Sequence, residues 1–301
     1  MAKTEIVEFT MYGGEVKVKF YPKSHMYKVT DEKYGMVDQR VKGVTTYLGI
    51  KDKSAALTSW VAEITGMHLL DIIEKGQIVT NEDIAKAMTL YTEKKDEAAT
   101  IGQKTHAWCE YFIKHKLGEV GYENAPTIPK DPQTLLGVDS FLEFITNNKV
   151  TFIASEKIVY SRKHQYIGTM DFKAEVNGKL VSGDFKTSNG LYNTVFAQTA
   201  AYEEADEEEQ AYIGKPIQYE ASYAVRLAKE SEQEYVDRMH KKNAVRQLIG
   251  KEPNEIKEYN PFEVRINEGR EKHDINFAGF LSCKDLFHWD IDTDFYKNDN
   301  K

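Results

Sequence analysis

The sequence predicts a mixed α/β fold: a mixed β-sheet core flanked by helices, preceded by an N-terminal extension of strands and helices. Helical periodicity and strand-like alternation follow each other along the chain, which is typical of this class. An Asn-Gly pair at positions 177 and 178 predicts a two-residue hairpin turn between two strands. The core order of helix, three strands, helix and strand favours a sheet with both parallel and antiparallel neighbours.

The predicted N-terminal region covers residues 1–95 and begins with short strands. Residues 5–30 alternate between apolar and polar types and are interrupted by turn residues. The segment VTTYLGI at 44–50 leads into a helical pattern that continues to Leu70. A second helical pattern starts at Asn81, a plausible N-cap followed by acids, and extends to Lys116 with or without a break.

The predicted core, with a C-terminal extension, covers residues 96–301. A loop that contains prolines at 126–132 precedes its remaining elements. Helices are expected at 139–148, 194–205, 235–248 and 277–289, and strands at 151–161, 166–176, 179–188, 219–229 and 262–266.

The composition is that of a globular chain long enough for one large domain or two. Hydrophobic residues make up 41% of its 301 residues and charged residues 29%. No apolar leader opens the chain, and no run approaches the ~20 apolar residues of a membrane span, so no membrane contact is expected. Cys109 and Cys283 are too few for a disulfide framework or a zinc site, which favours a reducing cytoplasm.

The net charge of −8 argues against a general nucleic-acid binder, because phosphate contacts need clustered lysine and arginine. Much of the negative charge is concentrated in EEADEEEQ, residues 203–210. We expect this run to be a solvated helix end, which leaves room for a positive groove elsewhere.

The predicted hairpin carries two aspartates and a lysine among its apolar residues. Asp171 precedes the turn pair by six positions and Asp184 follows it by six, so strand pairing would bring the two carboxylates together. Two carboxylates suit a hard divalent cation, and the carbonyl of Phe185 could add another oxygen. Because side chains alternate along a strand, Lys186 shares the face of Asp184, where it could orient a water or neutralise charge on a phosphate.

The same residues also fit a solvated sheet face without a function, which is a common arrangement. Gly168, Gly183 and the apolar neighbours favour a buried position, where carboxylates need a counterion.

Two helical motifs flank the hairpin. Gly102, His106 and Glu110 lie at i, i+4 and i+8, along one helix face, and Gln198 and Tyr202 are one turn apart on the next helix. A single helical histidine is more often a packing residue than a metal ligand, and the Gln-Tyr pair alone indicates little.

Taken in order, these motifs resemble the RecB-like branch of the PD-(D/E)XK nuclease superfamily, which includes phage exonucleases and the mitochondrial genome maintenance exonuclease. The matching positions are Gly102 with His106, Gly168 with Asp171, Asp184 with Lys186, and Gln198 with Tyr202. The resemblance covers roughly residues 95–230 and implies a restriction-endonuclease-like core. The proline of the superfamily's name is absent, as it commonly is in this branch. A weaker similarity covers FYPKSHMYKV and VTTYLG near the N-terminus.

The resemblance implies a phosphodiesterase that depends on Mg²⁺ or Mn²⁺. Asp171 and Asp184 would be metal ligands, with His106 as a further ligand. Lys186 would position or activate the attacking water. An imidazole ligand suits Mn²⁺ better than Mg²⁺, so manganese should support the higher activity. Relatives often carry a glutamate at the position of Glu156. This residue could equally be a hydrogen-bond partner or a metal ligand.

The resemblance further implies that Gln198 and Tyr202 support the site or contact the nucleic-acid backbone. The expected partner is DNA, as single strands or duplex ends, with phage or host recombination proteins as possible further partners. For a phage protein the expected location is the cytoplasm of the host. Candidates for the path of the strand are Arg226, Arg162, Lys163, Trp60 and Trp108, although each is better explained as a surface charge or a core aromatic.

Three functional alternatives remain open at this point. The first is a DNA exonuclease that acts in recombination, repair or degradation, or an endonuclease of the same superfamily. The second is a nuclease-fold module that binds DNA or protein without cleavage. The third is a structural protein whose hairpin resembles the motif by chance and binds no divalent metal.

Overall fold

The computed structural model describes residues 6–292 and confirms the mixed α/β class. Two sheets are present among these residues, one of four strands and one of five. The strands are Val7–Met11 (β1), Val16–Tyr21 (β2), Met26–Asp31 (β3), Met36–Val41 (β4), Val150–Ser161 (β5), Tyr166–Val176 (β6), Lys179–Lys186 (β7), Ala221–Leu227 (β8) and Phe262–Glu268 (β9). The α-helices are Val44–Leu48 (α1), Ser54–Glu74 (α2), Asn81–Leu117 (α3), Pro132–Asn147 (α4), Thr194–Tyr212 (α5), Glu232–Leu248 (α6) and Arg270–Asp292 (α7).

The five-stranded sheet is mixed and its strands follow chain order from β5 to β9. The pairs β5–β6, β6–β7 and β8–β9 are antiparallel, whereas β7 and β8 run parallel. A parallel pair needs a crossover, and here the crossover contains α5. The predicted order of helix, three strands, helix and strand is therefore confirmed.

The hairpin of β6 and β7 has the predicted register. Val176 pairs with Lys179, and the pairing continues as far as Phe172 with Gly183. The two turn residues both have positive φ, 51° at Asn177 and 82° at Gly178, as a type I′ turn requires.

Hydrophobic clusters cover both faces of the five-stranded sheet. On one face, Phe141 and Phe144 of α4 pack with Phe172 and Phe185 in a cluster that α3 completes. On the opposite face, residues of α1, α5 and α7 surround Tyr166 and neighbouring strand residues. Strands buried on both faces are predominantly apolar, so a charged residue inside them needs a specific reason.

The four-stranded N-terminal sheet packs on the first hairpin of the larger sheet. Its apolar face contacts Tyr160 and Ile167. Arg162, at the end of that contact, is buried and donates to both carboxylate oxygens of Asp31, at 2.8 and 2.9 Å. This ion pair fixes the N-terminal sheet to the larger one, and it leaves Arg162 unavailable for the strand path suggested for it.

The expectation that the acidic run of α5 is solvated is wrong. Glu203, Asp206 and Glu209 are all buried. Asp206 lies between the ammonium groups of Lys157 and Lys173. A run of acids on one helix is compatible with burial because the neutralising groups come from strands distant in sequence.

Glu203, unlike Asp206, is stabilised by hydrogen bonds from two serine hydroxyls and, among the described residues, not by an ion pair with lysine. Ser182 and Ser222, on adjacent strands, both donate to its Oε1. The Nε2 atom of His273 lies 3.6 Å from the other carboxylate oxygen. Burial is the main cause that raises the pKa of Glu203 from 4.5 to about 7.

Several element boundaries differ from those predicted. α3 has no break, and its N-cap is Thr80 rather than Asn81, in a capping box with Asp83. α4 begins at Pro132, well before the predicted Asp139, because proline is well accommodated in the first turn of a helix. β4 had no predicted counterpart.

The predicted division at residues 95 and 96 falls inside α3 and stays a prediction, as do its ends at 1–5 and 293–301, which lie outside the described residues. Within residues 6–292, no helix combines the length and apolarity needed to cross a bilayer.

Glu203→Gln should remove a pH-dependent loss of stability. The folded-state pKa is above the unfolded value, so the glutamate's contribution is complete below pH 4.5 and is lost as pH rises through about 7. Relative to the wild type, the variant should gain about 3 kcal/mol between these limits. Urea unfolding at several pH values measures this difference.

Glu175→Gln is the control, because it removes a carboxylate from an exposed position of β6. A Glu203→Gln difference that stays constant from pH 4.5 to 7.5 would contradict the assigned burial of the charge.

Candidate active site

Three carboxylates form a row across the adjacent strands β5, β6 and β7. Asp171 and Asp184 are opposite each other, one position beyond the last backbone pair of the hairpin. Glu156 lies opposite Asp171 on the other side, between the pairs Ser155–Phe172 and Lys157–Met170. Since neighbouring strands are about 4.8 Å apart, these three acids are close together.

Glu156 is held in a strained conformation. Its φ of 48° is in the left-handed region, which costs a residue with a side chain about 1–2 kcal/mol. A β-bulge also interrupts the pairing of β5 a few residues earlier. Strain of this kind persists where the surrounding structure imposes it, and such positions are frequent at functional sites.

Asp184 is the most buried carboxylate of the row. The side-chain amide of Gln198 donates to its Oδ1 at 2.7 Å and also to the hydroxyl of Tyr202 at 3.1 Å. Its Oδ2 lies 2.5 Å from Lys186 Nζ but accepts no hydrogen bond of good geometry. One oxygen of this buried group is therefore incompletely satisfied.

Asp171 is oriented by backbone and by helix α3. Its Oδ2 accepts a hydrogen bond from the backbone N–H of Phe185 at 2.8 Å. The Nδ1 atom of His106 lies 3.5 Å from the same oxygen. Because the N–H and C=O of one strand residue point to the same side, the carbonyl of Phe185 also faces this row. The ring of Phe185 packs in the hydrophobic core with Phe141 and Phe172.

Two glycines allow the helices to approach the strands. A Cβ at Gly168 would lie 2.3 Å from a ring carbon of Tyr202, and a Cβ at Gly102 would lie 2.7 Å from the hydroxyl oxygen of Thr187. Contacts this short exclude any side chain. These glycines thus let α5 and α3 place Gln198 and His106 over the carboxylates.

The row carries more negative charge than the nearby protein neutralises. Burial, with the charge of Asp171 added, raises the pKa of Asp184 to about 6 despite the opposing effect of Lys186. Burial, with the charges of Asp171 and Glu110 added, raises the pKa of Glu156 to about 8.

Lys186 is a cation in this arrangement. Burial alone would lower its pKa, but the carboxylates of Asp184 and Asp171 outweigh that effect and raise the pKa.

The carboxylates open into a cleft of about 640 Å³. The α3 wall is formed mainly by small residues, among them Ala98, Ala99 and Gly102. The opposite wall comes from the N-terminal region, where His25 and Tyr27 line the cleft. A hydrogen bond of 2.7 Å between the hydroxyls of Tyr27 and Thr169 joins this wall to β6.

Of the residues that sequence analysis assigned to the site, the structure brings all but Phe185 to the lining of one cleft. The cleft is lined by His106, Asp171, Asp184, Lys186, Gln198 and Tyr202, and by Glu156 and Glu110. His25, Thr45 and Thr46 also line it and were not assigned, although they lie in the N-terminal segments noted for a weaker resemblance. Their position depends on docking of the N-terminal sheet, which no local sequence signal reveals.

The other residues suggested for a strand path are outside this cleft. Trp108 is buried and its ring nitrogen donates to the carbonyl of Thr127. Arg226 pairs with Glu263 and donates to the carbonyl of Asn260. Trp60 lines a different cavity.

The donor set fits a divalent cation, although the side chains are not arranged around one. Among residues 6–292, no group of three histidine, cysteine or acidic side chains is placed so that it could hold a metal ion. Lys186 instead occupies the position next to Asp184 Oδ2. The incompletely satisfied oxygen and the uncompensated charge are what a hard cation with oxygen ligands would neutralise.

Comparison with known proteins assigns no family to the chain. No protein-family model matches it, and the search of curated proteins finds no match.

Gly168→Ala should destabilise the protein by about 1–3 kcal/mol, because the added methyl group collides with the ring of Tyr202. The displaced tyrosine would also lose its hydrogen bond with Gln198. Chemical denaturation measures the change in the free energy of unfolding.

Gly279→Ala in α7 is the matched control, since a Cβ there meets nothing within 4 Å. It should be neutral or stabilising by up to about 1 kcal/mol. Equal effects of the two substitutions would mean that Tyr202 is not packed on Gly168.

Proposed function

We propose that the protein is a divalent-metal-dependent deoxyribonuclease, and specifically a DNA exonuclease that acts in recombination, repair or degradation of DNA. The observation that carries this proposal is the row of three carboxylates next to a lysine, at the floor of an open cleft. Carboxylates that gather a cation, with an ammonium group beside them, are suited to hydrolysis of a phosphodiester.

Asp171, Asp184 and the carbonyl of Phe185 would hold the cation, with His106 as a further ligand. When bound, a divalent cation at such a site polarises the phosphate and lowers the pKa of a bound water. The imidazole of His106 favours Mn²⁺ over Mg²⁺, because nitrogen ligands suit manganese better. Glu156 is close enough to the row to accept a hydrogen bond from a water or to complete the ligand set.

Lys186 would act on the water or on the phosphate. Lys186 Nζ is paired with Asp184 Oδ2 and would be released from this ion pair if the carboxylate held a cation. The released ammonium group can then donate a hydrogen bond to the attacking water or to a phosphate oxygen. Gln198 holds Asp184 through its Oδ1, and Tyr202 holds Gln198, so these two residues fix the orientation of the carboxylate.

DNA is the proposed substrate, and proteins of phage or host recombination are the proposed partners. Single strands and duplex ends are the proposed forms of this substrate.

Mn²⁺ should raise the midpoint temperature of unfolding by several degrees at concentrations far above its dissociation constant. A ligand at 100 times its Kd that binds only the folded state stabilises it by about 2.7 kcal/mol. Asp184→Asn should lose most of this response. A thermal melt with Mn²⁺, Mg²⁺ or EDTA measures both.

Asp139→Asn, which removes an exposed carboxylate of α4, should keep the full response. An unchanged melting temperature of the wild type at millimolar Mn²⁺ would exclude a metal site of useful affinity.

Asp184→Ala and Lys186→Ala should each lower cleavage of linear DNA at least 100-fold, because each removes a group proposed to act at the scissile phosphate. The assay uses end-labelled linear and closed circular DNA, single- and double-stranded, with either metal or with EDTA. Metal-dependent loss of linear molecules alone would establish an exonuclease.

Lys215→Ala, at an exposed position after α5, is the control for the loss of a lysine. Cleavage of closed circles would instead establish an endonuclease. If the wild type binds DNA but cuts none of these substrates with either metal, the protein is a binding module.

A further inference from the structure

A second cavity of about 550 Å³ lies on the other side of α3 from the sheet core, between α2, α3 and α6. Its volume is in the range of small-molecule sites. Its lining combines an apolar part with several charged side chains. The apolar part consists of Trp60, Ile64, Met67, Leu90 and Ile101.

Lys229 differs from the other cations of this lining. Lys94, Lys241 and Arg238 each form an ion pair with a carboxylate of the same lining. Within residues 6–292, Lys229 forms neither an ion pair nor a hydrogen bond. It is also only partly exposed, at the end of β8.

An unpaired ammonium group in this position is unfavourable without a ligand. Burial lowers the pKa of Lys229, despite the opposing charges of Glu230 and Glu97. His68, from α2, also lines the cavity, and its buried Nε2 atom has no hydrogen-bond partner. The ammonium group of Lys229 and the Nε2 atom of His68 are therefore both without a protein partner among the described residues in the lining of one cavity, and an anion that accepts hydrogen bonds would satisfy the ammonium group.

Trp60 offers a flat apolar surface in the same cavity. Trp60 lines the cavity, and its ring forms no contact with another aromatic ring among the described residues. Nucleobases stack favourably on aromatic side chains, and this contact tolerates any base because every base has a flat π-face.

We propose that this second cavity binds a nucleotide, with its phosphate at Lys229 and its base against Trp60. The choice of a nucleotide rests on the proposed function, because Ala98 of α3 lines both this cavity and the cleft of the carboxylates. The two chambers are therefore neighbours. The nucleotide could be a free 5′-mononucleotide or one unit of a DNA strand, since both present the same phosphate and base.

Of the five acidic side chains of the lining, three pair with its cations, whereas Glu234 and Asp237 accept hydrogen bonds from neutral groups. Glu97, Glu230 and Asp71 are neutralised by the ion pairs of the same lining. Glu234 accepts from the hydroxyl and the backbone N–H of Ser231.

The test is a calorimetric titration of thymidine 5′-monophosphate into the full chain in EDTA, where no cleavage occurs. Lys229→Met should weaken binding at least tenfold, because it removes a charge-assisted hydrogen bond to the phosphate. Trp60→Leu should weaken it by a comparable factor. Thymidine, which lacks the phosphate, should bind the wild type as weakly as the nucleotide binds Lys229→Met.

Two variants locate the bound nucleotide. Lys94→Met removes the same charge from the same lining, but from a lysine already paired with Glu97, and should change binding less than threefold. Lys186→Met removes the ammonium group of the carboxylate cleft and should leave nucleotide binding unchanged. Loss of binding in Lys186→Met but not in Lys229→Met would place the nucleotide in the cleft and overturn the proposal.

Oligothymidylate distinguishes the two sources of the nucleotide. If an octamer competes with the mononucleotide and is weakened equally by Lys229→Met, the cavity holds part of a strand. If it does not compete, the cavity takes free nucleotide. Absence of saturable binding at millimolar nucleotide overturns the proposal even if the wild type cleaves DNA, whereas binding without cleavage would refute only the nuclease function.

Discussion

Burial of negative charge is the constraint on which the rest of this structure depends. The chain buries acids in its sheets and in helix α5, and each of these acids must be neutralised or hydrogen-bonded. Behind the sheet, Asp206 has two lysines and a tyrosine hydroxyl as partners. At the N-terminal contact, Asp31 receives both bonds of a buried arginine. In the carboxylate row, three acids share essentially one lysine. The contrast separates the acids that hold the fold together from those that are available for a cation.

Close packing holds these incompletely neutralised carboxylates in a defined geometry. The type I′ turn sets the register that aligns Asp171 with Asp184, and the bulged, strained segment of β5 presents Glu156 beside them. Gly168 and Gly102 then let a tyrosine and a threonine lie against backbone, so that α5 and α3 can carry Gln198 and His106 to the row. Each of these features is local, but all of them position side chains at the carboxylate row.

Local signals predicted the parts of this arrangement that depend on neighbouring residues. The Asn-Gly turn and the alternation around it were sufficient for the register of the hairpin, and the order of the motifs was sufficient to bring six residues to one cleft. The burial of Glu203 and Asp206 was not predictable in this way, because their partners lie on other strands. For the same reason, the sequence did not predict that His25 lines the cleft or that Lys229 has no ion-pair partner among the described residues. Both depend on which helices and sheets pack together. β4 was not predicted because the alternation of apolar and polar residues along it is weak.

The continuity of α3 has a thermodynamic consequence. At 1.5 Å per residue, its 37 residues span about 55 Å, and the same rigid rod presents Leu90 and Ile101 to one chamber and His106 to the other. Gly102 packs closely against Thr187, so a small shift of the helix changes the packing at both chambers. If a ligand bound in one chamber displaces the helix, the free energy of that displacement also changes the affinity of the other chamber for its own ligand. Linkage requires this effect to be reciprocal, by the same factor in both directions.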